Sequence, residues 1–196
     1  MTRPGLAATA MLLAAATGAA ATPAVSASKY NVFAFTGRML DEDMGQSLRL
    51  FSADYEDNYI TGIGAQDFVF RTGIVSIGYE LGGAARYGLN STFEGWGGVV
   101  GRVDDIPFLG LYVSPSLTFG LSYVSAVQEG REQQLAEETG CDARVLFYLS
   151  PELDVRTSPE ARYSVFYRLQ HRSGAWNTLC MRGASNANVF GLRIRF

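Results

Sequence analysis

The final strand of the chain constrains its fold more than any other segment. From Asn188 to Phe196 the residues alternate without a break: Phe190, Leu192, Ile194 and Phe196 take one face, Gly191, Arg193 and Arg195 the other. A period of two is the signature of an extended strand, whose successive side chains point to opposite sides of a sheet. A soluble barrel puts its apolar residues inside and its charges outside. Two arginines on one face and four bulky apolar groups on the other suit the inverse arrangement, with hydrocarbon outside and polar groups filling a lumen. A soluble lipocalin-like barrel is discounted on this ground.

A closing strand that ends in phenylalanine also resembles the C-terminal signal of bacterial outer-membrane barrels. The N-terminus agrees with export. Arg3 provides a short positive region, Leu6 to about Ala21 is an Ala- and Leu-rich apolar run, and Val25-Ser26-Ala27 offers the small residues a signal peptidase needs. Pro23 ends the run before it becomes a confident membrane helix. The expected organisation is a signal peptide over residues 1–27 and one barrel domain over 28–196. Composition fits many strands and tight turns, with 22 Gly, 12 Phe, 10 Tyr and only 6 Pro. The net charge of −3 is spread without a basic stripe, so no nucleic acid is expected as a partner.

Alternation places eight antiparallel strands at roughly Tyr30–Met39, Asn58–Ala65, Gly73–Leu81, Phe93–Val103, Ser116–Ser125, Ala143–Ser150, Tyr163–His171 and Ala187–Phe196. Lengths near ten residues match a tilted membrane-spanning strand. The expected fold is therefore all-β, an eight-stranded antiparallel transmembrane β-barrel of the bacterial outer membrane. An even count returns the C-terminus to the periplasmic side. Residues 67–72, 104–112 and 151–162 are expected as periplasmic turns, and 40–57, 82–92, 126–142 and 172–186 as outer loops. Parity sends Arg38, Glu80, Glu94, Arg102, Arg144, Arg168, Arg193 and Arg195 into the lumen. A barrel of eight strands is narrow enough for such side chains to fill it, which disfavours a diffusion pore. Two outer loops are acidic, with Asp41, Glu42, Asp43, Asp54, Glu56 and Asp57 in one and Glu129, Glu132, Glu137 and Glu138 in the other. Solvated surface is favoured over a cation site, because their spacing fits no EF-hand loop. One histidine and scattered carboxylates form no convincing ligand set, so no metal or other cofactor is expected.

The single histidine, His171, lies two residues before Ser173 near the end of the seventh strand. Residues two apart share a face, and here that face also carries Tyr163, Val165, Tyr167 and Leu169, the lipid-facing set. A base and a hydroxyl side by side suit nucleophilic catalysis. Their height is the outer rim of the barrel, so the substrate would be a membrane lipid approached from the side.

The segment Arg168-Leu-Gln-His-Arg-Ser-Gly174, followed by Gly183-Ala-Ser-Asn186 and Gly191-Leu-Arg-Ile-Arg-Phe196, resembles the outer-membrane lipid A 3-O-deacylases of the PagL type and their acyloxyacyl-hydrolase-like relatives. Asp54-Tyr-Glu-Asp-Asn58 and Asp105-Ile-Pro-Phe108 echo the family more weakly. The resemblance implies a serine hydrolase that removes an ester-linked acyl chain from lipid A of lipopolysaccharide. Ser173 would be the nucleophile and His171 its base. The family's third member is a glutamate on the last strand, whereas this chain offers Asn186 at that place and Asn188 two residues on. Asparagine can orient an imidazole without stabilising its cation by charge. The backbone N–H groups of Ser173 and Gly174 are candidate oxyanion donors, and Arg182 is the better placed of the rim arginines for a lipid phosphate. A phospholipid substrate would use the same dyad. The competing reading is a non-catalytic small barrel that is structural or binds a surface partner. A homodimer is compatible with either. Cys141 and Cys180, the two cysteines, suit one disulfide in an oxidising compartment.

Overall fold

The computed structural model describes residues 29–175, 178–179 and 181–196; the expected signal peptide lies outside them. Nine strands are formed among these residues: β1 (Tyr30–Leu40), β2 (Tyr55–Thr72), β3 (Val75–Tyr87), β4 (Thr92–Val103), β5 (Ile106–Phe108), β6 (Leu111–Val124), β7 (Val145–Arg156), β8 (Tyr163–Ser173) and β9 (Ala184–Arg195). Two helices, α1 (Met44–Ser47) and α2 (Arg131–Thr139), sit in loops. Every long strand pairs antiparallel with its neighbour, and β1 closes on β9, so eight strands form an edgeless barrel. The three-residue β5 pairs only with β6, across a Leu109-Gly110 turn in which both residues have positive φ.

Alternation decides which face each side chain takes. Ile77, Tyr79, Leu81, Phe93, Leu117, Leu121, Phe190 and Leu192 are exposed on the outside, while Glu80, Arg102, Arg168 and Arg193 are buried inside. So broad an apolar exterior is stable against hydrocarbon and costly against water. The lumen is a packed core. Near its middle Phe33, Phe35, Trp96, Tyr148 and Phe166 form an apolar cluster, seated over strand glycines. A Cβ at Gly82 would overlap the Trp96 indole, and one at Gly64 the Phe33 ring, so a missing side chain on one strand makes room for a large one on the next.

Charged residues complete the filling. Arg168 reaches Glu80 at 2.8 Å and Glu152 at 2.8 Å, and Arg193 reaches Glu152 at 2.7 Å and Asp154 at 2.9 Å. Arg195 also binds Asp154. Glu80 further accepts bonds from Gln66, Trp96 and Thr118 at 2.6, 2.9 and 3.0 Å. Each carboxylate is thereby satisfied by fixed donors, the condition for burying charge at all.

The strands run longer than alternation alone suggests. β2 continues through residues 67–72, expected as a turn, and bends at a bulge near Phe68–Phe70; the actual turn is Gly73-Ile74. β3 continues through Gly82–Tyr87, where Gly82, which suggests a loop, instead lies beneath the Trp96 indole. β7 passes through Pro151 to Arg156. The ladder to β8 skips that point, and the Ser150 hydroxyl donates to the Leu169 carbonyl at 3.2 Å. Two expected lumen arginines are elsewhere. Arg38 lies on the outer face, 2.8 Å from Asp57 and over the rings of Tyr55 and Tyr59, and Arg144 is exposed beside Asp142 at 2.6 Å. Conversely Glu132, expected on a solvated loop, is buried in the barrel mouth between Arg86, at 2.6 Å, and Arg172.

The long connections, 41–54, 125–144 and 174–183, gather at one end of the barrel, the loop end. The tight turns and both ends of the described chain lie at the other, where Phe196 N–H bonds the Tyr30 carbonyl at 2.9 Å.

Candidate functional site

β8 and β9 lie side by side with His171 opposite Asn186, Ser173 opposite Ala184 and Leu169 opposite Asn188. All six residues share the outward parity of the barrel wall. Lower on the same face Tyr163, Val165, Phe190 and Leu192 are exposed, as lipid-facing residues should be. Near the loop end that exposure stops. His171 is only 7% exposed and Asn186 1%, because the 41–54 loop folds down over them.

The loop is pinned by the two asparagines. Asn186 Nδ2 donates to the Glu42 carbonyl at 2.6 Å, and Asn188 Nδ2 donates to the Ser47 carbonyl at 2.9 Å. Between them the chain turns once as α1, with the Asp43 carbonyl accepting from the Gln46 and Ser47 N–H groups, both at 3.0 Å. Asn188 Oδ1 accepts from the Tyr167 hydroxyl at 2.8 Å. Asn188 is thus engaged with the loop and with Tyr167, and it is Asn186 that meets the histidine.

That contact is short and its polarity is determined. Asn186 Oδ1 lies 2.6 Å from His171 Nδ1. Since Asn186 Nδ2 is committed to the Glu42 carbonyl, the oxygen faces the ring and must accept. Nδ1 then carries the proton, and Nε2 keeps a lone pair available to a hydroxyl. This is the tautomer a general base of the serine-hydrolase kind requires.

His171 and Ser173 line one groove of about 770 Å³ on the outer wall. Phe119, Phe147 and Leu149 form its apolar side, with Phe119 and Phe147 stacked at 6.0 Å. Asp43, Met44 and Gly45 form its upper edge, and Arg182 with Gly183 and Ala184 the far rim. No hydrogen bond joins Ser173 to His171 among the described residues; they share the groove and the face. Gly174 is packed so closely against the Met181 backbone that a Cβ would overlap its carbonyl, and Ala175, next in line and also in the groove wall, has φ of 44°. Strained backbone of this kind needs local reinforcement, supplied by Thr178 and Leu179 N–H bonds to the Ala175 and Gly174 carbonyls.

Of the residues anticipated from sequence, His171, Ser173 and Arg182 line the groove, Asn186 stands behind the imidazole, Gly174 follows the serine and Asn188 anchors the loop. Cys141 follows the 125–144 loop's helix, while Cys180 lies outside the described residues. Parity puts Phe119 on the outer face and Glu42 and Asp43 lie in an acidic loop, but nothing in the sequence attaches any of the three to the site. Their contribution depends on a loop folding back and on a strand distant in the chain, and neither leaves a periodic trace.

No known family profile and no curated protein sequence matches the chain. Among solved structures, the barrel is similar to that of the outer membrane enzyme PagL, with a TM-score of 0.53 and 12% identity over 85% of this chain and 99% of that one. It is similarly close to Neisserial surface protein A, with a TM-score of 0.52 and 9% identity over 87% of this chain and 99% of that one. At such identity the likeness extends to the fold: a closed eight-stranded antiparallel barrel of the outer-membrane type.

Proposed function

We propose that this chain resides in the bacterial outer membrane and hydrolyses an acyl ester of an outer-leaflet lipid, with lipid A as the first candidate substrate. The observation that carries the reading is the Asn186–His171 contact at 2.6 Å, whose polarity leaves Nε2 basic beside a serine in the same lateral groove. His171 takes the proton from Ser173 Oγ as that oxygen attacks the ester carbonyl. The imidazolium returns the proton to the departing alcohol, and a water activated by the same ring releases the fatty acid. Asn186 keeps the ring in register and contributes no charge to it. The apolar side of Phe119, Phe147 and Leu149 suits an acyl chain arriving from the membrane, and Arg182 at the rim suits an anionic headgroup.

A non-catalytic barrel is the second reading, favoured by the absence of a Ser173–His171 hydrogen bond among the described residues. Such bonds are often loose before substrate binds. Mass spectrometry of lipid A from cells expressing the wild-type chain or Ser173→Ala separates the two. The expected outcome is loss of one acyl mass with the wild type alone. Unchanged lipid in both, with the barrel inserted, would overturn lipid A hydrolysis, and the same comparison on phospholipid would test the remaining substrate.

A further inference from the structure

Besides the two β9 asparagines, a third hold on the site's cover comes from outside β8 and β9. Arg131 opens α2 in the 125–144 loop, and its guanidinium spans three groups that are far apart in sequence. Nη2 lies 2.7 Å from Asp43 and Nη1 3.4 Å from Asp41, both in the loop that covers the histidine. Nε donates at 3.0 Å to the carbonyl of Ala184, the β9 residue paired with Ser173. The Arg131 backbone N–H is itself fixed by Glu56 Oε1 at 2.5 Å. A rigid planar fork is suited to such three-way bridging in a way that a lysine ammonium is not.

We propose that Arg131 is a positioning residue: it latches the 41–47 loop onto the β8–β9 edge and thereby sets the tautomer of His171. The inference rests on the hydrolase reading for its consequence in catalysis, though not for its geometry. Asp41 and Asp43 flank Glu42, whose carbonyl is the only group holding Asn186 Nδ2 among the described residues. Without the guanidinium, two neighbouring carboxylates repel. The Glu42 carbonyl then lies in a loosened segment tied at its ends, by the Asp41 N–H bond to the Asp54 carbonyl and by the Asn188–Ser47 anchor. The Asn186 amide is then free to rotate and present Nδ2 to the ring. A donor facing Nδ1 favours the tautomer with the proton on Nε2, which cannot accept from Ser173. Asp43, the one carboxylate among the groove-lining residues, would move with the loop. The arginine side chain is 18% exposed and its partners 61% and 70%, so the latch is open to screening by salt.

Because His171 is the only histidine, the full-length barrel labelled with ¹⁵N-histidine reports one imidazole and needs no catalytic assay. The expected wild-type spectrum is a single Nδ1–H tautomer at low salt. Arg131→Met, which removes the fork and leaves no buried charge, should shift the signal toward Nε2–H or split it. Arg131→Lys should recover part of the wild-type signal, and molar salt should move the wild type toward the Met variant. On an ester substrate the Met variant should lose kcat on the order of tenfold with KM little changed, since the base and not the groove is disturbed. A folded Arg131→Met barrel with the wild-type imidazole spectrum would overturn the latch, whatever the enzyme does. A spectrum that shifts as expected in a barrel with no ester turnover would support the latch and remove the hydrolase reading instead.

Discussion

Asn186 is held on both sides, and this double engagement makes it consequential at the residue scale. Its amide nitrogen is taken by Glu42 and its oxygen by His171, both at 2.6 Å, so the side chain has no freedom to choose which end faces the ring. Asn186→Ala should leave Nδ1–H without a partner and the imidazole free to change tautomer. We expect kcat for ester hydrolysis to fall on the order of a hundredfold, within the range a general base contributes. The measurement is steady-state turnover in detergent, paired with the single-histidine spectrum; full activity with an unfixed tautomer would exclude the orienting role. The shared face of His171 and Ser173 was legible in the sequence because strand parity is arithmetic. Asn186 was reached only through the family resemblance, since residue 186 reads as loop and its pairing with His171 is visible only in the fold. Choosing 186 over 188 was not legible. It depends on the register across a hairpin whose loop length fixes it, and on which asparagine the covering loop occupies.

Among the elements, those with clean alternation were readable and those broken by glycine, proline or a loop helix were not. β9 falls within a few residues of expectation because bulky apolar and polar residues alternate along it. Gly82 of β3 and Pro151 of β7 suggest turns, yet their effect is determined by the Trp96 ring seated over the glycine and by one serine hydroxyl. α2 is the clearest case. Glu132, Glu137 and Glu138 look alike in sequence, but only Glu132 points into the mouth, where it lies between Arg86 and Arg172. Arg172 is further held by Ser122 at 2.8 Å and sits between the two site residues, so α2 is tied to the strand end that carries them. Glu132→Leu should therefore leave the buried Arg172 guanidinium without a carboxylate and Arg86 with only Glu94, 3.8 Å away. The expected cost is about 3–5 kcal/mol, read by urea titration of the refolded barrel. A loss within about 0.5 kcal/mol, the level of an ordinary surface substitution, would mean that water enters the mouth and solvates both arginines.

For the molecule as a whole, the filling of the lumen and the character of its surface follow from one inversion. Polar groups turned inward satisfy one another through the Glu80–Arg168–Glu152–Arg193–Asp154 chain, which leaves the apolar set to face outward. The solvent of that outer face can be tested by the sign of a single substitution. Leu81, at the middle of β3, is 72% exposed on the barrel wall. Were this wall in water, Leu81→Arg would remove an exposed apolar side chain and be neutral or mildly stabilising. In a bilayer the same change places a guanidinium near the midplane, at a cost of about 2–4 kcal/mol. A charge nearer either rim can reach the headgroups by bending its long side chain, and the penalty should shrink accordingly. Tyr87, at the loop end of the same strand and on the same face, supplies that control. Measured against Tyr87→Ala, which already lacks the stack on Tyr59 and the bond to Thr61, Tyr87→Arg should cost about 0–1 kcal/mol. Reversible unfolding in lipid vesicles measures both. A large cost at Leu81 with a small one at Tyr87 identifies hydrocarbon as the solvent of the wall, because no aqueous environment has a depth dependence; equal costs at the two positions would refute a spanning orientation for β3.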